Sequence, residues 1–369
     1  MKQARNILIC PLEWGLGHAG RMIALAEKLK ETGNNIFIGA GKEHLSFIRK
    51  ELPGLIYIDF PGYKPGYSGF LPQYLKLLAD IPVLIHHITR EHRQLQKIIT
   101  ENDIDIVISD NRFGLWNRKI TSVYVTHMLR IPFPAPFSFL EFIGIFLHRA
   151  IIKRYSLCFI PDLPGDLNIS GRLSHDLKLP GNVRYIGLLS RFSRIKATSG
   201  ENPVNVRHNT VMLSGPEPQK GILKQKLSDI FRDKEPMTIF LGGKPEGTEH
   251  KSGTDNIIWY DHLPALAMKE VIMSSETIIT RSGYTSVMEL IDLGCSAILI
   301  PTPGQTEQEY LAQSLAGKGW FSAIRQKELT GEICPASVKC RWTDELTGQS
   351  KILLDRAVEE LLIEEQKES

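Results

Sequence analysis

The chain of 369 residues is 42% hydrophobic and 23% charged, with 44 Lys and Arg against 41 Asp and Glu, a formal charge of +3. Such a length exceeds one ordinary core and predicts two domains, while the near balance of charge argues against a nucleic-acid binder, which would carry a concentrated basic stripe. The five cysteines are odd in number, widely spread and without a CxxC pair, which argues against a zinc site and predicts a reduced, cytoplasmic setting. Lys2 and Arg5 precede only a brief apolar stretch before Glu13, so no signal peptide is read there. No uninterrupted run of about 18 apolar residues marks a membrane span.

Short β-branched runs predict strands at 7–10, 36–39, 55–58, 104–109, 122–125 and 157–160, with helices near 18–32, 43–51, 72–100 and 138–154. The pattern breaks at 190–205, where Ser, Arg, Lys, Gly, Asn and Pro dominate. It then restarts, with strands at 211–214, 238–241, 257–260, 277–280 and 297–301 and helices at 219–232, 263–273, 285–293 and 307–317. A charged amphipathic helix at 350–366 suits either a strap across a domain junction or a plain terminal helix. The expected fold class is therefore α/β, with two Rossmann-like domains facing across a cleft. Expected boundaries are a first domain at 1–190, a linker at 191–207, a second domain at 208–345 and the terminal helix at 346–369.

Two turns carry the chemistry. After the first strand comes Trp14-Gly15-Leu16-Gly17-His18, where Gly15 and Gly17 permit a tight turn and the close approach of another molecule. His18 then opens the first helix, whose N-terminus disfavours imidazolium and keeps the ring able to accept a proton. Asp110, ending the fourth strand, is the carboxylate placed to orient it, whereas Asp103 and Asp105 should lie at that strand's far end. His127 follows the fifth strand on the same edge and is a candidate acceptor contact, as is Gly17.

The second turn is Arg281-Ser282-Gly283-Tyr284-Thr285-Ser286, between an apolar strand and a helix. Helix-opening N–H groups and the helix dipole there favour a phosphate or diphosphate, and Arg281 either adds a cation or is structural. Glu289, one turn on from Thr285, is suited to a ribose diol. The plain alternatives are a capped helix with a solvated Glu289 and a His18 that merely packs.

Gly-Leu-Gly-His at 15–18, with Arg-Ser-Gly-Tyr-Thr-Ser-Val-Met-Glu-Leu at 281–290, Gly-Cys-Ser-Ala-Ile-Leu-Ile-Pro at 294–301 and Glu307-Gln308, resembles GT-B glycosyltransferases. The nearest in kind are the peptidoglycan-precursor N-acetylglucosaminyltransferases and the UDP-glucuronosyl/UDP-glucosyltransferases. The resemblance implies that Gly283, Thr285 and Ser286 hold a nucleotide diphosphate, that Glu289 binds ribose and that Glu307 and Gln308 contact the donor sugar. It implies that Ser214-Gly215 lies near the diphosphate and Tyr260 beside the base, with Lys244 in a further flexible turn. Where the family has Asn three residues after the Gln, this chain has Leu311.

The expected activity is inverting, metal-independent and cofactor-free transfer of a sugar from a nucleotide diphosphate sugar, such as UDP-N-acetylglucosamine, to a hydroxyl acceptor. Other readings are a UDP-sugar 2-epimerase and a non-catalytic nucleotide-binding subunit that anchors a partner at the membrane. The segment 131–160 carries Phe139, Phe142, Phe146 and Leu147 beside Arg149, Lys153 and Arg154. It suits either a core helix or one lying on an anionic membrane at the cytoplasmic face, where a lipid-linked acceptor would be met.

Overall fold

The computed structural model describes residues 4–64, 80–133, 135–195, 207–243, 251–254, 256–331 and 343–363. The chain divides into two compact units, Met1–Leu189 with Glu345–Ser369 and Ser190–Asp344.

In the first unit strands and helices alternate: β1 (Asn6–Cys10), α1 (Leu16–Glu31), β2 (Asn35–Ala40), α2 (Lys42–Glu51), β3 (Ile56–Asp59), α3 (Ile81–Glu101), β4 (Ile106–Asp110), β5 (Thr121–Val125), α4 (Glu141–Ile152), β6 (Leu157–Ile160) and β7 (Val183–Tyr185). The seven strands run in the order β3-β2-β1-β4-β5-β6-β7, every neighbouring pair parallel. Both faces are covered. Ile7, Ile9, Ile36, Ile38, Ile106 and Ile108 pack with α1 and α2 on one side, while Leu8, Cys10, Phe37 and Val107 meet Leu95 and Ile98 of α3 on the other. Burial on both faces is why these strands read as unbroken apolar runs in the sequence. The strand order turns back between β1 and β4, so their C-terminal ends flank the crevice where such sheets take ligands.

The second unit repeats the scheme with β8 (His208–Met212), α5 (Gln219–Phe231), β9 (Met237–Leu241), β10 (Lys251–Thr254), β11 (Ile257–Tyr260), α6 (Ala265–Met273), β12 (Thr277–Thr280), α7 (Tyr284–Asp292), β13 (Ile298–Leu299), α8 (Thr306–Gly317) and β14 (Ser322–Ala323). Its order is β10-β11-β9-β8-β12-β13-β14, parallel except for β10, an antiparallel edge strand. Its switch point lies between β8 and β12.

Several elements differ from the sequence expectation. The strand expected at 211–214 starts at His208, because His208 and Asn209 are polar yet buried, His208 Nε2 donating to Val271 O at 3.1 Å. Strands β7, β10 and β14 carried no apolar run long enough to mark them. The helix expected near 72–100 is described from Ile81, with a proline in its first turn; residues 65–79 lie outside the described residues, as do 196–206 of the expected linker, Lys244, Cys334 and Cys340. Cys10, Cys158 and Cys295 are buried.

The terminal helix α9 (Thr343–Ile363) packs on the first unit. Ala357, Val358 and Leu361 enter its core, Ser350 Oγ accepts from Leu188 N at 2.6 Å, and Arg184 grips Glu360 at 2.7–3.1 Å. Gly187 has φ +75°, and a Cβ there would sit 2.5 Å from Ser350 O. Gly187→Ala should therefore destabilise the protein by at least about 1–3 kcal/mol, the cost of the strained backbone before the helix is displaced. A urea titration checks this; an unmoved midpoint would contradict the packing of α9 on this turn.

Candidate active site

Gly15, with φ +83°, ends the turn after β1 and lets α1 begin at Leu16 without any side-chain cap. His18 therefore stands in the first turn of α1, and Arg21 lies on the same face one turn later. Asp110 closes β4 and His127 follows β5. The four side chains meet at the C-terminal edge of the first sheet.

Asp110 is fully buried. Its Oδ2 accepts from Arg21 Nε at 2.9 Å and lies 2.9 Å from His18 Nδ1, while its Oδ1 accepts from Arg21 Nη2. Arg21 Nη1 stands 3.0 Å from His127 Nδ1, and Arg21 Nη2 2.8 Å from His18 Nδ1. Burial would raise the Asp110 carboxyl, but the Arg21 guanidinium and then His18 outweigh it and hold it at about 2. Asp110 is thus an anion in need of donors. His18 Nδ1 faces an acceptor, Asp110 Oδ2 at 2.9 Å, and a donor, Arg21 Nη2 at 2.8 Å; in the tautomer that satisfies the anion, Nδ1–H donates to Oδ2 while Nη2 spends its N–H on Oδ1. The proton then sits on Nδ1 and Nε2 is basic. Burial, followed by the Arg21 charge, lowers the His18 pKa below the ordinary histidine value, against the opposing pull of Asp110. The cause is chiefly desolvation rather than the helix dipole anticipated from sequence.

Asp105 lies at the opposite end of β4, where its Oδ2 accepts from Asn6 N at 2.8 Å. Arg21 was missed in the sequence; its spacing of three from His18 was the available signal.

In the second unit, the strand-to-helix turn after β12 opens α7 with Gly283 as N-cap and no side-chain cap. Gly283, Thr285 and Ser286 are half-buried, while Ser282 and Tyr284 are buried. Ser214 and Gly215 follow β8, and Gly215 has φ +91°, a conformation that favours glycine. Tyr260 ends β11 and is half-buried; Trp259 stacks at 4.1 Å on Phe240 in the core.

Of the two readings of Arg281, a cation or a structural residue, its position favours the second. The residue is fully buried, and its guanidinium donates to the carbonyls of Ile300 and Pro301 at 3.2 Å and of Gln219 at 2.8 Å. Burial lowers its pKa to about 10. It braces the loop after β13 and the start of α5. Ser282 is similarly engaged, its Oγ donating to Gln308 O at 2.8 Å. Gln308 is buried, and its Oε1 accepts from Thr302 N at 2.9 Å, so its amide nitrogen is the end available to donate. Glu307 is half-buried in the first turn of α8. Leu311 is fully buried.

Glu289 is buried and paired with Arg191, Nε to Oε1, at 2.9 Å. No local signal announced that partner, which lies 98 positions away. Thr302 Oγ1 is buried without a hydrogen-bond partner, 3.8 Å from where a Gly215 Cβ would be.

Two largely parallel sheets, each with a switch point, make up the GT-B architecture. Residues 224–349 match the glycosyltransferase family 28 C-terminal domain. Over 73 residues the chain is 38% identical to a UDP-N-acetylglucosamine--N-acetylmuramyl-(pentapeptide) pyrophosphoryl-undecaprenol N-acetylglucosamine transferase of Desulforudis audaxviator, which is 19% of this chain and 20% of that protein. The chain thus spans about a fifth of that relative's length. An uncharacterized glycosyltransferase of Methanosarcina acetivorans is 22% identical over 340 residues, covering 83% of this chain and 80% of that one. Among solved structures, the kitacinnamycin glycotransferase superposes with a TM-score of 0.65 at 14% identity over 99% of each chain. SnogD from Streptomyces nogalater does so with 0.56 at 15%, over 97% of this chain and 96% of that one. The chain has the GT-B fold and is related to these transferases, with the family 28 match confined to residues 224–349.

Arg281→Lys should lower stability by about 1.5–3 kcal/mol, the range for a hydrogen bond to a charged group, while UDP affinity measured on the folded fraction changes little. A lost UDP affinity with an unmoved thermal midpoint would return the guanidinium to the phosphate.

Proposed function

We propose that this chain is an inverting, metal-independent glycosyltransferase that moves a sugar from a UDP-sugar, such as UDP-N-acetylglucosamine, to a hydroxyl acceptor carried on a lipid. The observation that carries this reading is the His18–Asp110 contact at the first switch point, in a chain whose second unit matches a glycosyltransferase domain. The relatives named for UDP-N-acetylglucosamine support the donor class.

In this reading His18 Nε2 takes the acceptor's hydroxyl proton as its oxygen attacks the anomeric carbon. The bond from that carbon to the diphosphate oxygen breaks with its electron pair, and UDP leaves from the opposite face. Amides at 283–286 and the Ser214-Gly215 loop meet the charge growing on the diphosphate, a preorganised contribution. Glu289 takes the ribose, Tyr260 lies at the base, and Glu307 with the Gln308 amide contacts the sugar. Gly17 and His127 border the acceptor.

The exposed face of α4 supports a lipid-borne acceptor. Phe139, Phe142, Phe146 and Leu147 are 63%, 63%, 69% and 54% exposed, at spacings of three, four and one along the segment. Lys153 and Arg154 follow at its end and are exposed. Greasy side chains beside basic ones suit the interface of an anionic bilayer. Among the described residues no helix is long and apolar enough to cross a membrane.

With UDP-N-acetylglucosamine and an extracted lipid fraction, the protein should release UDP and label a lipid. His18→Ala should cut turnover by about 10²–10⁴, the usual worth of a general base, and leave UDP binding intact. A new UDP-sugar formed without acceptor would identify an epimerase instead, and UDP binding without turnover a non-catalytic subunit.

Because the His18 pKa is lowered, the ring stays neutral as pH falls through the ordinary histidine range. Turnover should therefore persist below pH 6.5. A rate that halves above that value would contradict the neutral base.

The double variant Phe142→Ser, Phe146→Ser should lose co-sedimentation with phosphatidylglycerol vesicles while keeping UDP affinity. Sedimentation equal to the parent's would remove the membrane reading.

A further inference from the structure

Arg21 is 1% exposed; its Nε and Nη2 donate to the two oxygens of Asp110, its Nη1 faces His127 Nδ1 and its Nη2 lies beside His18 Nδ1. We propose that Arg21 is a positioning residue that sets the proton pattern of the site. It pins the Asp110 carboxylate, places the proton of a neutral His127 on Nε2, and keeps His18 a neutral ring with a bare Nε2. The last element rests on the reading of His18 as the base.

The His127 part follows from the donor inventory. A guanidinium has five N–H groups and no lone pair, so across 3.0 Å Arg21 Nη1 donates and His127 Nδ1 accepts. Nδ1 is therefore bare, and the proton of the neutral ring is on Nε2. His18 Nδ1 lies 2.8 Å from Arg21 Nη2 and 2.9 Å from Asp110 Oδ2; because Nη2 already donates to Oδ1, the second carboxylate oxygen takes Nδ1–H, which gives His18 the reverse pattern with Nε2 bare. The two rings thus differ in polarity at Nε2, one a proton acceptor and the other a donor.

The His18 part adds charge to the desolvation that chiefly lowers its pKa. The charged and titratable groups facing His18 are Asp110 at the end of β4, Arg21 on its own helix and His127 after β5. An unopposed carboxylate at 2.9 Å favours imidazolium by about 1–3 pH units. Arg21 donates to both carboxylate oxygens, so the Asp110–Arg21 pair presents His18 with no net charge. A His–Asp dyad without such a cation would become protonated at higher pH and lose its base there.

The experiment uses the full-length protein labelled with ¹⁵N-histidine. Long-range ¹H–¹⁵N spectra at neutral pH should show His127 protonated on Nε2 and His18 on Nδ1. His127 protonated on Nδ1, or present as imidazolium, overturns the proposal without any variant having to fold. Arg21→Met should then raise the His18 titration midpoint by about 1 pH unit or more. The acid limb of UDP release from UDP-N-acetylglucosamine should move up by the same amount, with most turnover recovered in alkali. Arg21→Lys, which keeps the charge but not the fork, should leave the His18 midpoint low and let His127 populate both tautomers. A loss of turnover uniform across pH with an unmoved midpoint reduces Arg21 to scaffolding and overturns the inference. A midpoint that moves while the rate limb does not leaves Arg21 in its role and removes His18 as the base.

Discussion

A single carboxylate, Asp110, organises the first switch point. An isolated charge at a position with no solvent exposure costs several kcal/mol, so the site exists only because Arg21 meets both oxygens. Removing either partner would leave the other uncompensated, on the order of 3–5 kcal/mol. In the proposed chemistry the same pairing has a catalytic consequence. His18 has its Nδ1 anchored on Asp110, so the direction of Nε2 is determined before any substrate arrives. Preorganisation of this kind removes reorganisation from the barrier.

The second unit uses its switch point differently. Arg281 is as deeply buried as Arg21, yet its bonds go to three backbone carbonyls rather than to a carboxylate. Those bonds tie the loops at 219 and 300–301 to the strand that leads into α7. Ser282 and Gln308 extend the tie, one to the backbone of α8 and the other to Thr302. In the proposed reading, the turn offered to the diphosphate is consequently made of backbone amides held by a buried frame. A helix end without a side-chain cap suits that use.

Much of this was legible in the sequence, and the exceptions have physical reasons. Parallel strands covered on both faces are mostly apolar or β-branched, so 7–10, 157–160 and 277–280 stood out. Edge strands escape that requirement, and Lys251–Thr254 did not. His18 and Asp110 were readable because strand ends of one sheet converge on one edge. Arg21 was readable in principle from helical spacing, but its partners come from two other strands. Arg191 was not readable, because its pairing with Glu289 depends on tertiary placement alone. For Arg281 the sequence could place the residue at the turn but not tell whether the guanidinium faced solvent or carbonyls. Only burial decides that. The apolar run at 139–147 was equally ambiguous, since a core helix and an interfacial one share a composition; here the phenylalanines face outward.

The most direct test of the proposed chemistry is the anomeric configuration of the sugar in the first product, read from its ¹H coupling after transfer from UDP-α-N-acetylglucosamine. One displacement assisted by His18 inverts the centre and predicts a β-linked product. An α-linked product would require retention and contradict a single attack from the face opposite the diphosphate.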